Sequence, residues 1–206
     1  VAPTPISTLL DQLADQGWAW SDTLFPSADC TRLLDDARQL WNQGVFHDAG
    51  IGRGLNHTRN DAIRGDAIYW LKSTDTRPAI QRFRQWAALL QQTLNQDLFL
   101  GLNNAEFHFA RYPAGSGYIK HRDQHRDQTA RRISLVLYLN THWLPADGGE
   151  LVIYDPVDDS RPLQRLLPTF GRLVLFRSDL VPHEVAACGR TRWSLTGWFR
   201  TDHGVF

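Results

Sequence analysis

Two periodicities divide the chain. Through the first hundred residues apolar positions mostly recur every three or four residues, whereas beyond them they alternate in short runs. Ile6, Leu9, Leu10 and Leu13 share one helical face, and Gly17 marks its stop. Trp18 to Leu24 predicts a first strand. Ser27 is placed to N-cap a helix from Ala28 to about Gln43 with Leu33, Leu34, Ala37, Leu40 and Trp41 on its inner face, and Gly44 stands where a C-terminal glycine belongs. Ala67 to Leu71 reads as a short strand. Pro78 then opens a helix to about Asn95 carrying Ile80, Phe83, Trp86, Ala87, Leu90 and Leu94. Between these elements Asp48 to Asn60 has no hydrophobic period and is rich in Gly, Asn, Arg and His, so it reads as a long loop of the kind that often forms lids.

After residue 100 the runs shorten. Glu106–Tyr112 puts Phe107 and Phe109 on one face and His108 on the other. Ile133–Asn140, Glu150–Tyr154, Gln164–Leu167, Arg172–Phe176, His183–Ala187 and Thr191–Arg200 follow, separated by Gly, Pro and Asp turns. Such spacing predicts an antiparallel sandwich or barrel. The whole is an α+β chain, mainly β, forming one domain over 1–206 with a helical flank at about 1–100 and a strand core at about 101–202.

Composition narrows the function. The 206 residues are 42% hydrophobic, ample for a core, and 22 basic side chains balance 22 acidic ones. A net charge of zero argues against a general nucleic-acid surface, which needs uncompensated positive charge. A local basic pocket for one small dianion stays open. Cys30 and Cys188 form no metal-like pair and read as reduced, buried thiols. No apolar run approaches the roughly 20 residues that span a bilayer, and Val1 to Leu10 lacks the pattern of a signal peptide. The expectation is a cytoplasmic protein with no membrane partner.

The chemistry begins at His121-Arg122-Asp123. In an extended segment positions 121 and 123 project to one side, so an imidazole and a carboxylate converge. His183, which opens a late apolar strand in Pro182-His183-Glu184-Val185, supplies the second imidazole of a two-histidine, one-carboxylate set suited to non-haem Fe(II). Arg192, nine residues later, offers a permanent cation for the distal carboxylate of a 2-oxoacid. Tyr112, ahead of the glycine-rich turn into His121, offers a hydroxyl to the same ligand. A rival reading pairs His121 with His125 at helical spacing as zinc ligands, but position 122 is arginine where a catalytic glutamate would stand. His108 is read as a satisfied core or groove histidine.

Longer stretches carry a resemblance. Ile63-Arg64-Gly65-Asp66 with Trp70, Tyr112-Pro113 through Gly117-Tyr118 to His121 and Asp123, Tyr138-Leu139-Asn140, Gly148-Gly149-Glu150-Leu151, Gly171 to Asp179, Pro182 to Val185, and Thr191-Arg192 with Trp198 resemble the prolyl hydroxylases of the hypoxia-inducible-factor type and their bacterial relatives. The similarity runs from about Leu13 to Asp202. It implies a double-stranded β-helix, or jelly roll, with supporting helices; Fe(II) held by His121, Asp123 and His183; and 2-oxoglutarate and O2 as co-substrates, with ascorbate as a stimulating reductant. It implies that Arg192 and Tyr138 take the distal oxoacid carboxylate, and that Tyr112 and Thr196 line that site. Arg131, Trp198, Arg64, Asp66 and Trp70 become candidates for substrate binding, and Asp48 to Ile63 for a closing loop. Arg64 and Asp66 equally suit an ion pair at the loop's base. The implied substrate is a prolyl residue in a protein, elongation factor Tu in the bacterial relatives, with oxygen sensing the role in the animal ones. The chain departs from the family at Gln124 to Ala130, which lacks the Asn-Pro of the animal enzymes. Two other readings keep the same fold: hydroxylation of a small molecule such as a free amino acid, and a binding module without catalysis.

Overall fold

A computed structural model describes residues 6–49, 64–124 and 129–202. Three helices, α1 (Ile6–Gln16), α2 (Ser27–Asn42) and α3 (Pro78–Leu98), accompany eleven strands. These are β1 (Trp18–Ser21), β2 (His47–Asp48), β3 (Ala67–Trp70), β4 (Asn104–Tyr112), β5 (Tyr118–His121), β6 (Arg131–Tyr138), β7 (Leu151–Tyr154), β8 (Pro162–Leu166), β9 (Leu173–Arg177), β10 (His183–Val185) and β11 (Arg192–Arg200). They pair antiparallel into a major sheet ordered β1-β9-β6-β11-β4-β3-β2 and a minor sheet ordered β5-β10-β7-β8. Two facing sheets whose strands alternate out of chain order form the expected double-stranded β-helix.

The period-two pattern explains the layering. On β4, β6, β9 and β11 one parity (Phe107, Phe109, Ile133, Leu135, Leu137, Leu173, Leu175, Trp193, Leu195, Phe199) packs against the apolar faces of the helices. The other parity faces the minor sheet and carries Val136, Tyr138, Val174 and Phe176 with the polar residues of the site. Each fully buried Leu in the helix-side layer contributes about 1.5–3 kcal/mol, so that layer anchors the sheet while the opposite face is left for chemistry.

Several details differ from expectation. Ser27 begins α2 but does not cap it; Pro26 holds the cap position in an extended conformation with no side-chain bond. A fixed proline φ preorganises that entry without a hydroxyl. Trp41 is 36% exposed; it lies over the sheet's rim, edge-on to Phe46 and Trp193 with the Arg111 guanidinium 4.0 Å from its ring. The third helix continues past Asn95 to Leu98, and the Asn95 amide exchanges two 2.7 Å bonds with the Leu102 main chain. Phe99 then ends it in a left-handed conformation. The first hundred residues are more than a helical flank: β1 pairs with β9, and β3 with β4, so they supply both edges of the major sheet. Of the expected 48–63 loop, Asp48 pairs in β2; residues 50–63 lie outside the described residues, as does His125.

Candidate metal centre

The ligands arise from strand register. β5 ends on His121 and β10 begins on His183, and the two residues face each other across the pair. Gly117 lets the turn before β5 approach β10: a Cβ there would lie 2.5 Å from the Val185 carbonyl oxygen. The extended segment stops at His121. Asp123 lies in a bend, pinned by the Gln124 N–H donating to the Ser178 carbonyl at 3.0 Å. Ligand atoms of His121, Asp123 and His183 nonetheless fall within 4.8 Å of one another, the group among the described residues able to hold a metal.

Hydrogen bonds orient all three. Nδ1 of His121 lies 2.7 Å from the Ile119 carbonyl and Nδ1 of His183 3.1 Å from that of Val181. A carbonyl only accepts, so each Nδ1 carries the proton and each Nε2 lone pair is left for a metal. Those Nε2 atoms lie 3.5 and 3.8 Å from Asp123 Oδ1. The other carboxylate oxygen accepts from Ser134 Oγ at 2.6 Å, and Ser178, 2.9 Å from Ser134, completes the relay. Burial works to raise the Asp123 carboxyl, but His183, His121 and the Ser134 hydroxyl outweigh it and hold it well below the usual carboxylate range. Burial, then the neighbouring His121, lowers His183 to about 4, so it is neutral and fit to ligate. Tyr118 stacks on His121 at 3.6 Å and Phe176 packs on His183 at 4.5 Å, shielding both rings.

The opposite end of the same cavity holds a buried cation. Arg192 is 2% exposed and donates through Nε to the Gly149 carbonyl at 3.0 Å. The rings of Tyr112 and Tyr138 lie 5.1 and 4.9 Å from the guanidinium carbon. Among the described residues no carboxylate pairs with it. Gly149 makes room: a Cβ there would stand 3.2 Å from Arg192 Cδ and 2.9 Å from Cys188 Cβ. The Tyr138 hydroxyl is buried without a hydrogen-bond partner, and Thr196 lines the wall beside Ser194. A cavity of about 500 Å³, measured out to its open mouth, joins this end to the triad. Two imidazoles and a carboxylate suit Fe(II). A buried guanidinium that meets no carboxylate among the described residues, beside the Tyr138 phenol, suits a carboxylate, as the distal group of 2-oxoglutarate would supply.

At the mouth the predicted residues divide. Arg64, Asp66 and Trp198 line the cavity; Trp70 and Arg131 stand behind its wall. Arg64 forms a two-bond pair with buried Asp66 at 2.7 and 3.0 Å, so each neutralises the other. Arg131 covers Trp198 at 3.4 Å and is bound by Glu106 at 2.9 Å. The expectation of a satisfied His108 is overturned: it is 1% exposed and its Nδ1 has no partner. A buried polar group left so costs about 1–3 kcal/mol. Burial, then Arg64 and Arg131, holds its imidazole well below the ordinary range and so neutral. Sequence reasoning also missed Ser134. Its signal was a lone hydroxyl inside Ile133-Ser134-Leu135-Val136-Leu137, a buried strand position where a polar side chain needs a partner.

Residues 107–200 match the 2OG-Fe(II) oxygenase superfamily. The crystal structure of a Pseudomonas putida prolyl-4-hydroxylase is similar at 36% identity and TM-score 0.84, covering 96% of this chain and 100% of that one. A Trichoplax adhaerens prolyl hydroxylase, solved with a hypoxia inducible factor oxygen degradation domain peptide fragment, aligns at 28% identity and TM-score 0.84 over 95% of this chain and 88% of that one. Human Egl nine homolog 1 is 29% identical over 181 residues, 82% of this chain but 40% of that protein. Mouse prolyl hydroxylase EGLN3 is 26% identical over 198 residues, covering 91% and 80%.

Proposed function

This chain belongs to the 2OG-Fe(II) oxygenase superfamily, on its prolyl-hydroxylase branch, and from that premise we propose that it hydroxylates a prolyl residue of a protein, with elongation factor Tu the first substrate to test. The observation that carries the oxygenase reading is the pairing of a candidate metal triad with a buried Arg192 that meets no carboxylate among the described residues, at the two ends of one cavity. The prolyl reading is supported by full-length similarity to the Pseudomonas putida prolyl-4-hydroxylase.

His121, Asp123 and His183 would hold Fe(II), and Arg192 with Tyr138 the distal carboxylate of 2-oxoglutarate. When bound, these groups and O2 supply the oxidising power that converts a C–H bond into C–OH with release of succinate and CO2. The chain's own part is positional. Ser134 fixes the Asp123 carboxylate; main-chain carbonyls fix both imidazoles. Tyr118, Phe176 and Trp198 line the cavity and keep water from the reacting centre.

The test loads protein anaerobically with Fe(II) and 2-oxoglutarate, admits air, and measures succinate together with the mass of elongation factor Tu peptides. Succinate and a gain of one oxygen on a proline are expected from the wild type, and neither from Asp123→Ala. Equal succinate from both proteins would sink the oxygenase reading. Oxygen added to free amino acids but to no polypeptide would turn the substrate to the small-molecule class.

A further inference from the structure

We propose that His108 is a substrate-positioning residue whose Nδ1–H donates a hydrogen bond to a main-chain carbonyl oxygen of the bound polypeptide, beside the residue that reacts. The proposal rests on the polypeptide reading above and specifies which group of the chain meets the substrate's backbone.

Register fixes where His108 stands. Across the major sheet it lies in one row with Trp70, Thr196 and Val136. The next row on one side carries Ala110, Ser194 and Tyr138, the oxoacid side. The next row on the other side carries Trp198 and Ser134, the latter bonded to Asp123. His108 therefore stands in the row between the one that contacts the triad and the one on the oxoacid side, displaced along it toward Trp70. Its ring is held between Trp70, 4.7 Å away, and Trp198, 5.5 Å away, so packing sets its plane.

The neighbouring polar groups are already engaged. Arg64 is bound to Asp66, Arg131 to Glu106, Ser134 to Asp123, and Ser194 lies against Thr196. Tyr138 and Arg192 belong to the oxoacid end. Along the cavity wall outside that end, two buried nitrogens have no partner among the described residues, His108 Nδ1 and Trp198 Nε1. An indole N–H only donates, and a neutral imidazole has one N–H to give. What meets Trp198 Nε1 brings an acceptor, and the Nδ1–H tautomer of His108 offers the same acceptor a second donor. Every residue of a polypeptide brings a carbonyl oxygen, and a prolyl residue brings that without an N–H. A position meant only to pack would be apolar, as Phe107 and Phe109 are on either side of it in the strand.

The experiment compares His108→Leu, which removes the donor, with His108→Gln, which restores one. Protein loaded with Mn(II) and N-oxalylglycine is titrated with purified elongation factor Tu, and KM and kcat are measured separately on the Fe(II) enzyme. His108→Leu is expected to raise the Kd and KM for the polypeptide about tenfold, the scale of one buried hydrogen bond, with kcat and 2-oxoglutarate affinity little changed. His108→Gln should recover most of the loss. Wild-type polypeptide affinity in His108→Leu would overturn the assignment. Equal losses in both variants, with oxoacid affinity falling too, would make His108 a packing residue and also overturn it. If His108→Leu does not fold, His108→Met carries the same comparison. A wild-type protein that neither binds nor hydroxylates the polypeptide would overturn the substrate reading itself, a result separable from the others because it precedes any substitution.

Discussion

Arg192 and Arg200 open and close the same strand, 2% and 7% exposed, and their surroundings are opposite. Arg200 donates to Glu106 at 2.6 Å and to Asp202 at 2.8 Å. Arg192 meets one main-chain carbonyl and two tyrosine faces, with no carboxylate among the described residues. Burying a guanidinium is unfavourable unless something compensates its charge. At Arg200 the fold compensates it internally. At Arg192 ring faces do part of the work, and the remainder is left to an anionic ligand. One end of the strand carries a cation compensated by carboxylates, the other a cation with none among the described residues.

Substitutions can break that contrast. Arg192→Gln should raise the KM for 2-oxoglutarate by about two to three orders of magnitude, as loss of a buried charge partner does, while the melting temperature without ligand holds or rises. A large drop in that temperature would mean Arg192 is structural after all. Glu106→Gln should do the reverse, destabilising the fold by about 3 kcal/mol because it strips charge compensation from buried Arg200 and Arg131; denaturant titration reads it, with oxoacid affinity retained in the folded fraction. Tyr138→Phe should weaken 2-oxoglutarate about tenfold through loss of one hydrogen bond to a charged group, measured by titrating the anaerobic Fe(II) protein, with stability unchanged because its hydroxyl has no partner to lose. Asp29→Asn is the smallest change. Its pairs with Arg32 and Arg82 are solvent-exposed, so stability should shift by less than about 1 kcal/mol. A larger shift by thermal unfolding would show that surface pairs matter here as buried ones do.

Much of the site was legible in the chain because its residues are close in sequence or open a strand, although the alternation expected to join His121 to Asp123 ends at His121 and a bend brings the carboxylate round. His121 and Asp123 two apart, His183 at a strand's start and Arg192 nine residues on already set the triad and the cation. The α1, α2 and α3 faces were readable from their helical period, Trp41 apart. Pairing was not legible, since it depends on contacts between distant segments. Arg131 looked available for substrate until Glu106, 25 residues earlier, was seen to hold it. His108 looked satisfied until the register with Thr196 and Trp70 put its side chain on the cavity wall, its buried Nδ1 without a partner among the described residues. Ser134 gained its meaning from the bend that returns Asp123 to β6. Trp41 was misread because its helical parity says inward, while a cation and two aromatic edges at the sheet's rim reward an outward position.

The facing of His121 and His183 across β5 and β10 has one more consequence. β5 is four residues long and lies at an edge of the minor sheet, where pairing register is weakly enforced. A slip of one residue would bring Lys120 or Arg122 opposite His183, replacing a ligand with a positive charge. Metal loading would therefore act as an inspection of assembly: a chain whose β5 is mispaired with β10 would lack one ligand of the set, and uptake of an ion would certify the alignment of two strands distant in sequence.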